Sequence, residues 1–169
     1  MFSCVERYVS ARTFRDLSDR RLALGVTYKP DKSWSIQPFY WNIAARSAAG
    51  QFRQEHRLNL RIGYRFPIKG FGLSHRSGFE YRIRQPRKTW RYRPSLTFEK
   101  DLPDKPISKS KIFVTEEIFY DSALKRFSRN RFTVGVSKTL NKNLTLDVFY
   151  MRQNDGTTRP GNLHVIGTN

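Results

Sequence analysis

The residues of this chain that could do catalytic chemistry are few and badly spaced for it. Three histidines, His56, His75 and His164, fall in different segments, and none stands at a metal-ligand spacing from another. Ser74 and His75 adjoin, as if to supply nucleophile and base to a lipid-modifying barrel hydrolase. Neighbouring residues on a strand point to opposite faces, however, so the two cannot meet; Ser74 with His56 or His164 across strands stays open. Glu116 and Glu117 resemble a glycosidase carboxylate pair but adjoin in the same way. They are expected as one interior residue and one at an edge or loop end. Cys4 is the only cysteine, which excludes an intrachain disulfide framework and a cysteine-based zinc site. The expectation is a protein that is not an enzyme, with no metal and no cofactor.

The abundant chemistry is guanidinium and carboxylate, placed at every second residue. Of the 32 basic residues 21 are Arg, against 14 Asp and Glu, a net charge of +18. From Arg57 to Phe66, Arg57, Asn59, Arg61, Gly63 and Arg65 fall on one face and Leu58, Leu60, Ile62, Tyr64 and Phe66 on the other. Glu80, Arg82 and Arg84 oppose Phe79, Tyr81 and Ile83; Arg91, Arg93 and Glu99 oppose Trp90, Tyr92 and Phe98. Arg131 opposes Phe132, and Thr145, Asp147 and Phe149 oppose Leu146, Val148 and Tyr150. Arg21 and Arg129 follow the same rule, while Ile112 to Tyr120 fits less cleanly because Glu116 and Glu117 adjoin. On a face lining a closed barrel, the guanidinium forks would pair with Glu80, Glu99, Glu117 and Asp147 while aromatic and aliphatic side chains met lipid. The surplus positive charge would attract small anions.

A period of two is the signature of a strand, and turn signals separate the runs at Pro30 to Ser33, Lys69–Gly70, Gln85–Pro86, Asn141 to Asn143, Asp155–Gly156 and Pro160–Gly161. The pattern predicts an all-β chain, an antiparallel up-and-down β-barrel of about ten strands, incomplete at its ends, with strand lengths that suit membrane crossing. Residues 20–169 would form the barrel and 1–19 an irregular segment or partial strand. Short connections at 30–33, 67–71 and 141–143 and longer ones at 44–51, 121–128 and 153–161 would place tight turns on one side and loops on the other. The connection from Asp101 to Ser110 breaks that rule. Aromatics near strand ends, among them Trp34, Phe39, Tyr40, Trp41, Tyr64, Phe66, Phe71, Trp90, Tyr92, Phe119, Tyr120, Phe149 and Tyr150, are expected to form interface girdles. No run approaches the roughly 18 apolar residues of a spanning helix, and Met1 to Arg20 holds no apolar signal-peptide core.

The ordered series from His56, Arg57, Arg61, Tyr64 and Arg65 through Glu80–Tyr81–Arg82, Trp90 to Arg93 and Glu117 to Tyr120, ending at Asn130, Arg131, Gly135, Leu140, Leu144 and Tyr150, resembles the bacterial barrel family termed domain of unknown function 2490. The likeness covers about residues 20–169 and implies an outer-membrane β-barrel with a polar Arg- and Glu-rich interior and no assigned activity. A signal peptide and an aromatic last residue, both expected of such a protein, are missing, so the sequence is expected to be truncated at one or both ends. The resulting expectation is a monomeric bacterial outer-membrane barrel, structural or small and porin-like, with membrane lipids and small anions as partners and an anion-preferring lumen. The rival is a soluble single-stranded nucleic-acid binder, since high positive charge with interleaved aromatics is its footprint.

Overall fold

The computed structural model describes residues 6–13, 16–46, 50–103, 109–141, 144–157 and 161–168, with side chains from residue 20 onward. Its strands are β1 (Glu6–Thr13), β2 (Asp16–Gly25), β3 (Trp34–Arg46), β4 (Phe52–Phe66), β5 (Gly72–Arg84), β6 (Arg87–Asp101), β7 (Ser110–Asp121), β8 (Arg126–Asn141), β9 (Leu144–Asp155) and β10 (Asn162–Thr168). They form one antiparallel sheet in strict chain order, a meander in which every strand pairs with its sequence neighbours. The backbone alone is described for β1, so nine strands, β2 to β10, carry the side chains that matter below.

Facing residues of an antiparallel pair share one side of the sheet, so the register converts alternation into two surfaces. Leu58 faces Tyr81, which faces Trp90; two residues along, Leu60 faces Phe79, which faces Tyr92. Arg57 faces Arg82, and Asn59 faces Glu80 and then Arg91, on the other side. The ambiguous strand resolves the same way: Phe113, Thr115, Glu117, Phe119 and Asp121 share the polar face, while Glu116 faces Leu96 and Phe132 on the apolar one.

Among the described residues, strands touch only their sequence neighbours, so no second layer covers either face. The faces nevertheless differ in exposure. Glu55, Asn59, Glu80, Arg82, Ser95, Glu117, Asp121, Gln153 and Asp155 are buried, all on the polar face, whereas Leu22, Leu24, Leu58, Leu60, Phe79, Trp90, Leu96, Phe132, Val136 and Val148 are exposed on the apolar one. A sheet curled toward its polar side produces this, because long side chains converge on a concave face and diverge on a convex one.

Four expectations are corrected here. Among the described residues no ladder joins β1 to β10, so the sheet is not closed into a barrel; these edge strands are short, β10 having seven residues against sixteen in β8, and offer little length for a seam. Tight turns and loops do not segregate either: the connections 26–33 and 102–109 lie on the side expected to be tight, and the turn at 85–86 on the other. The strand ends read as loops, Arg46, Arg126, Phe127 and Gln153 to Asp155, are ladder residues. Finally, Phe39, Trp41, Phe119 and Phe149 lie on the polar face and belong to no outer girdle.

Candidate functional site

The middle of the concave face is one ion network running from β4 to β8. Glu55 accepts hydrogen bonds from Arg57 Nε (3.0 Å), Arg82 Nε (2.5 Å) and Arg84 Nη2 (2.7 Å). Arg57 and Arg82 also flank Glu80 at 3.5 and 3.4 Å, and Arg93 approaches its other oxygen at 3.5 Å. Arg93 Nη2 then donates to both oxygens of Glu117, at 3.1 and 3.2 Å, and Arg131 lies 3.7 Å from the same carboxylate. Arg76 joins from two strands away: the row Arg76–Ser95–Glu117 puts a small buried serine between them, and the guanidinium crosses it to donate to Glu117 at 3.3 Å. A larger residue at 95 would stand in that path.

Beside this network, Phe119 is 2% exposed beneath three guanidinium groups, with Arg93, Arg131 and Arg129 at 4.6, 4.9 and 5.5 Å from its ring centre. Guanidinium planes bind an aromatic face well, and the ring fills the space between them with no polar atom to satisfy. The bulge beside Phe119 leaves Ser128 without a facing residue on β7, so Arg129 is aligned with Phe119 and Phe127 with Tyr120. Packing is close throughout: the space among Asn59, Arg61, Glu80, Arg93 and Glu117 holds about 10 Å³, room for about one water. Among the described residues Glu80 Oε1 and Arg93 Nε have no hydrogen-bond partner, and Glu80 Oε1 is held by the charges of Arg57 and Arg82 at 3.5 and 3.4 Å.

The flanks of the concave face are built differently, from aromatic rings over glycines. Phe113 and Phe149 face Gly135 from either side, and Phe149 also covers Gly167; a Cβ on Gly135 would lie 2.5 Å from Phe113 and one on Gly167 2.6 Å from Phe149. At the other flank Phe39 lies over Gly25, with Arg61 4.3 Å above the Phe39 ring. Glycine here opens the space that an inward-pointing ring occupies, as paired glycines and aromatics do across strands.

The convex face mixes aliphatic and aromatic side chains, with Phe79 and Tyr92 in contact (4.9 Å) in its middle and further aromatic contacts toward both rims. Trp34, Tyr64 and Phe66 contact in series (4.7 and 5.0 Å), and Phe71 meets Phe98 (5.2 Å) near the rim formed by connections 26–33, 67–71 and 102–109. Toward the opposite rim, Trp90, Tyr120 and Phe127 form a second series (5.3 and 5.5 Å). Ser74 lies on the concave face, while His56, His75 and His164 all lie on the convex one, so neither cross-strand Ser–His arrangement forms.

Of the arginines and carboxylates singled out from the sequence, Arg57, Glu80, Arg82, Arg84, Arg93, Glu117 and Arg131 meet in the central network. The others stand apart from it: Arg91 bonds Asp121 (2.7 Å), Arg65 bonds Glu99 (3.0 Å), Asp147 accepts from Ser137 (2.5 Å), and Arg61 donates to Gln37 (3.4 Å). Sequence reading missed Glu55, Asp121, Asp155, which pairs with Arg129, and Arg76. Glu55 was legible by carrying the Arg57 alternation back one step, whereas Asp121 and Asp155 sat in segments read as loops.

A profile described as Protein of unknown function (DUF2490) matches residues 7–163. The chain belongs to this family. No curated protein matches the sequence of this DUF2490 member.

Proposed function

We propose that this DUF2490 chain is the wall of a small β-barrel of the bacterial outer membrane, with membrane lipid outside and an Arg- and Glu-lined interior. One observation carries the reading: the buried polar and exposed apolar faces are the inverse of a water-soluble sheet, in which the apolar face is the one covered. The aromatic rows near both rims of the convex face add the girdles that such barrels place at the membrane interfaces. The role is that of a monomeric structural barrel or small porin-like one. Arginines outnumber carboxylates on the concave face, so any conducting path prefers small anions, while the filled centre around Glu80, Arg93 and Phe119 narrows that path. On the concave face Arg82, Arg91, Arg93 and Arg129 are held by carboxylates, which speaks against that face following a nucleic-acid backbone.

Refolding the chain into detergent micelles and running it unheated and boiled on an SDS gel tests the fold. A mobility shift with a β-rich circular dichroism spectrum is expected, and a soluble folded monomer in detergent-free buffer would overturn the proposal. If the barrel conducts in planar bilayers, Arg82→Gln with Arg93→Gln should abolish or reverse anion preference; unchanged selectivity would remove these side chains from the path.

A further inference from the structure

Lysine and arginine are sorted in this molecule. The chain has eleven lysines, and among the described residues Lys29, Lys32, Lys69, Lys100, Lys109, Lys111 and Lys138 lie at or beside one rim, formed by the connections 26–33, 67–71 and 102–109 and the β8 end. The described lysines at the opposite rim are Lys88 and Lys125. Arginine forks fill the concave face, where planar bidentate pairing suits them, while the compact ammonium groups stand where water and headgroups meet the wall.

At the connection between β2 and β3 that lysine rim is cut by a cavity of about 570 Å³, within the range of about 300–1,000 Å³ typical of small-molecule sites. Its lining is two-sided. Lys29, Lys32 and Arg65 supply cations at the rim, and Trp34 and Tyr64 supply an aromatic wall on the convex face. The carboxylates nearby are occupied. Asp31 Oδ1 accepts from the backbone N–H of Ser33 (2.6 Å) and of Trp34 (2.8 Å), and Glu99 is held by Arg65 (3.0 Å). Lys29 and Lys32 form no ion pair among the described residues. Ser35, Gly63, Ser74 and Arg76 line the cavity from the concave side, where a Cβ on Gly63 would lie 2.5 Å from Ser35 Oγ.

We propose that this cavity binds the headgroup of an anionic phospholipid, its phosphate between Lys29, Lys32 and Arg65 and its acyl chains lying along Trp34 and Tyr64. The inference rests on the membrane reading above and adds a ligand and a place to it. A free anion would satisfy the cations but leave the aromatic wall unused; a neutral lipid would do the reverse. Lysines beside a membrane surface strengthen binding to anionic lipid by a few-fold each, so the pair should give a preference of about tenfold.

The test uses the full chain with Trp34 as its one tryptophan (Trp41→Phe, Trp90→Phe), refolded in neutral detergent micelles doped with brominated phosphatidylglycerol or brominated phosphatidylcholine. Bromine quenches a tryptophan that it touches. Half-quenching at about tenfold less phosphatidylglycerol is expected, with the difference lost in the Lys29→Gln/Lys32→Gln variant and kept in Lys109→Gln/Lys138→Gln, whose lysines share the rim but not the cavity. Equal quenching by the two lipids would overturn the proposal while a heat-dependent gel shift still upheld the membrane barrel. Loss of the preference in the Lys109→Gln/Lys138→Gln variant would replace the site by a diffuse charged rim and overturn it too. So would inorganic phosphate alone changing Trp34 emission as fully as the lipid does, which would make the ligand a free anion. A soluble, lipid-indifferent monomer would overturn the membrane reading itself.

Discussion

The centre and the flanks of the concave face solve one problem, filling the space inside a curled sheet, by opposite means. In the centre, long charged side chains fill it, and each carboxylate is shared by several guanidinium groups: three at Glu55, three at Glu80, and Arg76, Arg93 and Arg131 at Glu117. At the flanks, Phe113, Phe149 and Phe39 fill it, each over a glycine. Charges must balance group by group, and removing one leaves its partners buried and unpaired; a ring over a glycine needs only matching volume. The centre should therefore be sensitive to the loss of a side chain, and the flanks to the gain of one.

The largest effect expected from that contrast is at Glu117. Glu117→Ala takes the carboxylate from Arg131, leaves Arg93 with Glu80 alone and releases Arg76, and breaking a buried ion pair from one side costs about 3–5 kcal/mol. Urea unfolding of the refolded chain in detergent should show the midpoint falling accordingly. A loss no larger than that of a rim substitution would mean that these arginines reach water and that the centre is wetter than its packing implies.

A smaller loss is expected at Gly135, from the opposite cause. A Cβ there meets the Phe113 ring at 2.5 Å, the Val148 carbonyl oxygen at 2.7 Å and Phe149 Cβ at 2.8 Å. Backbone is among these neighbours, so the strain cannot be relieved by one rotamer change, and Gly135→Val should cost about 1–3 kcal/mol, the usual range for overpacking. Gly78 is the control within the charged centre: its nearest neighbours would be Arg93 oxygen at 3.3 Å and Arg93 Cβ at 3.4 Å, so Gly78→Ala should cost less. Equal losses at the two glycines would erase the distinction between flank and centre.

The same contrast explains what the sequence disclosed. Alternation between Arg57 and Phe66 or Trp90 and Glu99 survives folding unchanged, because a strand has only two sides and the register keeps each residue on its own. That fixed the strands, their antiparallel order and most of the charged centre. It failed where a polar-face position holds an apolar ring. Phe119, Phe39 and Trp41 were read as girdle residues, and so was Phe149 although alternation had set it opposite Tyr150, because an aromatic near a strand end looks the same from either side; the deciding partner, a cluster of arginines or a facing glycine, sits on another strand. Asp121 and Asp155 failed for a different reason. Each ends its strand beside a turn, where Asp121 Oδ1 accepts the N–H of Ala123 and Asp155 Oδ1 that of Thr157, so turn chemistry masked residues that also pair with arginine.

The smallest effect expected separates the centre from its own rim. Arg65 and Glu99 pair at 3.0 Å like their neighbours, but the Arg65 side chain is 54% exposed, against 11% for Arg82 beside Glu55. An exposed pair contributes about 0–1 kcal/mol, and salt screens it, whereas a shielded pair is screened much less. Arg65→Gln should accordingly shift the urea midpoint slightly at low ionic strength and not at all at high, while the larger shift from Arg82→Gln should persist in both. If salt abolished the Arg82 effect as well, ions would be reaching Glu55 and Glu80. The concave centre would then be an open aqueous passage, and centre and rim would be two walls of one pore.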